Sequence, residues 1–126
     1  MNNNDKIIIG LLIAVFIVLI ITRSGNNLSV HDMRTGQVLV DYEMSNEFTA
    51  RENYVMALKH MIRCVEIAPT WRDGLNGMGS VCFDLGEKQS SQFFLLLYQS
   101  ATEPNDIELQ QITNCLNMLK VKYELD

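Results

Sequence analysis

The stretch Arg51–Gly86, RENYVMALKHMIRCVEIAPTWRDGLNGMGSVCFDLG, constrains the fold more than any other part of the chain. Within 53–68, Tyr54, Ala57, Met61, Cys64, Val65 and Ala68 recur three or four residues apart, which is one side of a helix of about 3.6 residues per turn. Arg51, Glu52, Lys59, Arg63 and Glu66 fall mostly off that stripe. Pro69 has no N–H to continue the helix and its ring clashes with the preceding turn, so the chain must bend there. A second helix is predicted from Trp71 to Leu85, and Gly86 suits its left-handed end. The stretch therefore predicts the second helix of one hairpin, a proline turn and the first helix of the next.

Shifting the sequence against itself by about 34 residues extends this pattern. Met44 falls on Met78, Phe48 on Cys82, Glu52 on Gly86, Ala57 on Ser91, Met61 on Leu95 and Cys64 on Tyr98. The first copy carries Asp41, Met44, Ser45, Phe48, Tyr54, Ala57, Met61, Cys64 and Pro69; the second carries Leu75, Met78, Gly79, Cys82, Gly86, Ser91, Leu95 and, one residue late, Pro104. Over 38–104 this resembles the tetratricopeptide repeat family, without the tryptophan of that family's first helix. An unrelated bundle of short helices would share the periodicity, and either reading gives an all-α domain.

At the N-terminus, Ile7–Thr22, IIIGLLIAVFIVLIIT, contains no charge and is bracketed by Lys6 and Arg23. Its 16 residues give about 24 Å of helix, short of a hydrocarbon core of about 30 Å, but flanking cations can snorkel. A cleaved signal peptide is the rival reading, although no Ala-x-Ala-like site follows. The expectation is an uncleaved, single-pass transmembrane anchor at 7–22, with Ile7, Leu11, Val15, Val18 and Ile21 in the bilayer. A short tail, 1–6, precedes it. The polar stretch 23–36 reads as a connector loop, and 37–123 as the helical domain.

Gln37–Tyr42, QVLVDY, is ambiguous between a short strand and the start of a helix over 37–50, with the helix favoured because Val40, Met44 and Phe48 then stack four apart. Phe93–Tyr98 is apolar all round, as in a helix sandwiched between neighbours. Asn105 or Asp106 is a good N-cap for a last helix, Ile107–Lys122, whose stripe of Ile112, Cys115, Leu116 and Leu119 suits a cap on two hairpins.

Net charge is −5, with all of the excess after Thr22, and there is no basic tract. Such a domain is a poor binder of nucleic acid, where phosphate neutralisation supplies most of the affinity. Cys64, Cys82 and Cys115 are an odd number on predicted apolar faces, which suits buried thiols, with a Cys64–Cys82 disulfide left open. His31 and His60 read as ordinary surface residues, and His60 with Cys64 one turn on lacks a third metal ligand nearby in sequence. Gly74, Gly77 and Gly79 lack the strand and Gly-Lys-Ser/Thr of a phosphate loop, and read instead as points of close helix approach. No catalytic, cofactor or metal site is expected, and no small-molecule substrate.

Protein binding remains. The resemblance implies a concave groove lined by the first helices of the hairpins: Tyr42, Asn46 and Thr49 from one, with Asp73, Asn76, Ser80, Phe83 and Asp84 from the other. The lysines of a carboxylate clasp are absent, so the mildly acidic lining implies a neutral or basic partner segment. The expected role is a membrane-anchored scaffold, assembly factor or adaptor whose partners are proteins of a membrane complex. The alternative is a permanent accessory subunit packed through Phe93–Tyr98.

Overall fold

The computed structural model describes residues 3–23 and 30–125, the side chains of 15–23 and 30–34 excepted. Among the described residues there are six helices and no strand: α1 Asn3–Arg23, α2 Val30–Ala50, α3 Tyr54–Ile67, α4 Arg72–Asp84, α5 Lys88–Gln99 and α6 Asp106–Lys122. The chain divides into two units, Met1–Val40 and Asp41–Asp126, with the boundary inside α2.

In the first unit, the apolar side chains described in α1 are exposed, among them Ile7, Leu11 and Leu12. No helix among the described residues is long and apolar enough to cross a membrane. The expected transmembrane anchor at 7–22, and the single-pass membrane localisation drawn from it, are overturned. The uncharged run 7–22 has 16 residues, about 24 Å of helix, which falls short of a hydrocarbon core of about 30 Å. Of the residues placed in the bilayer, Val15, Val18 and Ile21 have side chains outside the described residues.

The connector is also shorter than expected. Its residues 24–29 and the side chain of His31 lie outside the described residues, but α2 already begins at Val30. A glycine inside a helix costs about 1 kcal/mol relative to alanine, which a long helix absorbs at Gly36. QVLVDY is helical: the buried positions Val38, Asp41 and Ser45 are spaced three and four apart, the period of a helix rather than a strand.

The second unit is built from two hairpins and a terminal helix. Pro69 ends α3, with Ala68 as its C-cap, and Asn53 caps its start by accepting from the Met56 N–H at 3.3 Å. α6 opens with a reciprocal cap, in which the Glu108 N–H donates to the Asn105 side chain (2.8 Å) and the Asn105 N–H donates to the Glu108 carboxylate (3.1 Å). α4 packs against both α3 and α5, and α6 lies against α3. The core is shared among all four: Ala57, Leu58, Met61 and Val65 of α3, Leu75, Met78 and Cys82 of α4, Phe94 of α5, and Ile112 and Leu119 of α6.

Candidate functional site

The surface that the sequence singles out depends on how closely successive helices approach. In the first hairpin the Ser45 hydroxyl donates to the Ala57 carbonyl at 2.8 Å. In the second, the Ser91 hydroxyl donates to the Gly79 carbonyl at the same distance, 2.8 Å. Gly79 and Ser91 lie 34 residues beyond Ser45 and Ala57, so the same two positions meet in each hairpin with the serine on opposite helices. Bulk is excluded at these crossings: a Cβ on Gly79 would come within 2.7 Å of the Leu95 side chain. At Gly77 it would meet the end of Met61 at 2.5 Å and the Tyr42 ring at 3.5 Å, which brings α4 against both helices of the first hairpin. The Tyr42 ring also meets Trp71 edge-on, centroids 5.0 Å apart.

These contacts bring the first helices of the two hairpins, α2 and α4, together at Tyr42. Of the residues expected to line a groove there, Tyr42 and Thr49 are half-buried, and Thr49 donates its hydroxyl to the Ser45 carbonyl at 2.9 Å. Asn46, Asp73, Asn76, Ser80, Phe83 and Asp84 are exposed, Phe83 to 71%. Asp73 and Asp84 are eleven residues apart on α4, about three turns, so they lie near one line along the helix with Asn76 and Ser80 between them. Arg72, the adjacent cation, is turned away: its guanidinium donates to the Tyr98 (2.6 Å) and Ser100 (2.9 Å) carbonyls at the end of α5 and lies over the Tyr98 ring.

α6 lies on another side of the unit. Leu109, Ile112 and Leu116 meet Val65 and Pro69 of the first hairpin across a cleft of about 340 Å3, and Lys120 is ion-paired with Glu66. The Cys115 thiol contacts the Ser90 hydroxyl of α5 at 3.4 Å. At the end of α6, Glu87 pairs with Lys122 and accepts the Tyr123 hydroxyl at 2.7 Å. The Lys122 hydrogen bond, and then that from Tyr123, hold the Glu87 carboxyl below its ordinary range. Burial, with the neighbouring Glu87 carboxylate, pushes the Tyr123 phenol up to about 12. The helix expected to cap the hairpins thus leans on α3 and α5, and the exposed groove residues of α2 and α4 keep their exposure.

One polar pair was not anticipated. His60 is buried rather than at the surface, with Nδ1 2.9 Å from Asp41 Oδ1 and its ring stacked on Phe48 at 5.5 Å. Asp41 is itself 1% exposed, and the Arg63 guanidinium stands 3.9 Å from the same carboxylate oxygen. The sequence did hold a signal for this burial, since His60 falls three residues after Ala57 and four before Cys64, on the buried side of α3. The three cysteines are thiols, not disulfides. Burial pushes Cys64 and Cys82 each up to about 12. Among the described residues no group of three His, Cys, Asp or Glu side chains is placed to hold a metal ion.

Compared with models of protein families, with curated proteins and with solved structures, the chain matches none.

Proposed function

We propose that unit 41–126 is a protein–protein interaction module of the tetratricopeptide-repeat kind, acting as a scaffold, assembly factor or adaptor. The observation that carries this reading is the contact of α2 with α4 through the Tyr42 ring at Gly77 and Trp71, with Asn46, Asn76, Ser80 and Phe83 exposed on the two helices. Exposed amides and hydroxyls around an exposed aromatic ring are what a surface needs to bind a polypeptide, which presents both backbone hydrogen-bonding groups and apolar side chains. Asp73 and Asp84, with Arg72 engaged elsewhere, favour a neutral or basic segment. The correspondence of Ser45 and Ala57 with Gly79 and Ser91 supports the repeat reading.

A permanent subunit packed through the apolar run Phe93–Tyr98 has less support. Phe94 and Leu97 of that run are buried and Phe93, Leu95 and Tyr98 half-buried, which leaves Leu96 as its one exposed member, at 65%.

The test is capture of partners by the tagged full chain, followed by native sizing and mass spectrometry. Reversing charge with Asp73→Lys and Asp84→Lys is expected to abolish a discrete companion that the unaltered chain retains. Both positions are exposed, so helicity should be unchanged, and undiminished capture by the variant would overturn the assignment of this surface.

A further inference from the structure

α6 repeats the register of the two first helices. It starts at Asp106, 34 residues after α4 starts at Arg72. Thr113 therefore stands where α4 has Gly79 and α2 has Ser45, and Leu109 and Leu116 stand where α4 has the buried Leu75 and Cys82. In both hairpins this position is where a second helix crosses, and small residues make the crossing: Ser45 bonds the Ala57 carbonyl, and Ser91 bonds the Gly79 carbonyl. Four residues after the small one, each second helix carries an apolar side chain, Met61 after Ala57 and Leu95 after Ser91.

On α6 the same position is open. Thr113 is exposed, and its hydroxyl donates within its own helix, to the Leu109 carbonyl at 3.2 Å. Beside it runs the cleft of about 340 Å3 between α6 and the end of α3. Val65, Ile112 and Leu116 are buried at its floor, and Pro69 and Leu109 are half-buried at its rim. α3 reaches this side of α6 only through its last turn and the proline that follows, so the crossing position itself stays uncovered. The opposite side of α6 is already engaged, since Cys115 meets Ser90 of α5.

We propose that this cleft seats a helix of a partner protein, laid across α6 at Thr113 as α3 lies across α2 at Ser45 and α5 across α4 at Gly79. The register sets the chemistry of that helix. It carries Ala, Ser or Gly opposite Thr113, and four residues on a side chain the size of Met or Leu that enters between Val65 and Leu116. The cleft is at the small end of the range for binding pockets, so it takes side chains and leaves the helix backbone at the rim. There the Thr113 hydroxyl can turn from Leu109 to a carbonyl of the incoming helix, the bond that Ser45 makes within the first hairpin. The ion pair of Lys120 with Glu66 ties the two walls together, so the cleft is formed before the partner arrives.

Fluorescence anisotropy with the full chain tests the proposal. The probe is a fluorescein-labelled peptide of residues 53–68 of this chain with Cys64→Ser, a helix that carries Ala57 and Met61 at the required spacing. It is expected to bind saturably, and Thr113→Arg in the chain should weaken binding about tenfold, the effect of bulk at a helix crossing. Ala57→Leu in the probe should weaken it to a similar degree. Asn114→Arg, about 100° further round α6, should leave it unchanged. Positions 113 and 114 are both exposed, so helicity should be the same in each variant. Equal binding by Thr113→Arg and unaltered protein overturns the proposal, and so does the absence of saturable binding. Loss of binding with Asp73→Lys and Asp84→Lys in place of Thr113→Arg would put the probe on α4 and also overturns it, while leaving the surface of α2 and α4 standing.

Discussion

The hairpin of α2 and α3 and the hairpin of α4 and α5 place different chemistry at corresponding positions. Ser45 of the first helix reaches the Ala57 carbonyl in one, and Ser91 of the second helix reaches back to the Gly79 carbonyl in the other. The buried pair Asp41 and His60 of the first corresponds, 34 residues on, to the buried Leu75 and Phe94 of the second. Backbone geometry at a helix crossing fixes the need for small side chains, but it leaves the hydroxyl free to come from either helix of the crossing. Burial fixes the need for filled volume, and leaves open whether a hydrogen-bonded polar couple or two hydrocarbons fill it.

The thiols give the largest measurable effect, a contrast between the folded and opened states that each hairpin reports through its own cysteine. Cys64 belongs to the first and Cys82 to the second, and each is pushed from 9.0 to about 12. Burial is the main cause in both, and the second is the Asp41 carboxylate for Cys64 and the Cys115 thiol for Cys82. Three units lower the reactive thiolate about a thousandfold at neutral pH. Labelling the folded chain and mapping the modified peptides should therefore find Cys64 and Cys82 protected until the unit opens. If the polar pair makes the first hairpin the weaker, Cys64 will label before Cys82 as denaturant is added; simultaneous labelling would show one cooperative unit.

Exchange of the buried pairs breaks the comparison next. Phe94→His would bury an imidazole in the second hairpin, where Leu75 holds the position that corresponds to Asp41 and supplies no carboxylate, and is expected to cost about 3 kcal/mol in denaturant unfolding. In the first hairpin, Asp41→Leu takes the carboxylate from the buried His60 and should cost about 2 kcal/mol. Adding His60→Phe should recover most of that, since hydrocarbon of similar volume often replaces a buried polar couple at little cost. Failure of the double substitution to recover stability would mean that Arg63 and Phe48 hold the first hairpin to its own chemistry.

Much of this architecture was legible because the chain marks its helix ends. Pro69 after α3, Gly86 after α4 and Asn105 before α6 each act through a local backbone rule, and the structure has ends at all three. The reach of the apolar segment in α1 was not legible in that way, because sixteen uncharged residues set a composition and the crossing of a membrane needs a length as well. His60 escaped because residue type was weighed above its place on the stripe, and its partner Asp41 is 19 residues away in sequence. The exposed residues of α2 and α4 could be placed from the repeat register, yet no local rule in the sequence says what binds them.

The serines offer a smaller effect. Ser45→Ala and Ser91→Ala each remove a buried hydroxyl donor and leave a carbonyl, Ala57 or Gly79, without it, so each should cost about 1 kcal/mol. Equal losses would mean that the two crossings are equivalent despite the reversed direction. Gly79→Ala is the sharper probe of their difference: Leu95 blocks a Cβ at 2.7 Å, and overpacking there should cost about 2 kcal/mol, whereas position 45 already carries a side chain.

The turns that close the two first helices differ least in geometry and most in residue. After α4, Gly86 has φ +79°, the Gly86 N–H donates to the Phe83 carbonyl, and the Glu87 N–H donates to the Cys82 carbonyl. After α2, Glu52 has φ +59°, the Glu52 N–H donates to the Thr49 carbonyl, and the Asn53 N–H donates to the Phe48 carbonyl. The bonds match residue for residue at a spacing of 34, so both turns are the same left-handed helix ending. Only the second has glycine, which enters that region without the Cβ clash that Glu52 must bear. Glu52→Gly should therefore stabilise the unit by about 0.5 kcal/mol, the relief of the clash being partly offset by the greater freedom of glycine in the unfolded chain. Gly86→Ala should destabilise by about 1 kcal/mol, although nothing lies within 4 Å of its Cβ position, so the whole effect is conformational. If Glu52→Gly instead destabilises, the Glu52 side chain makes a contribution in the folded state larger than the strain at its backbone, and the two turns are alike in shape alone.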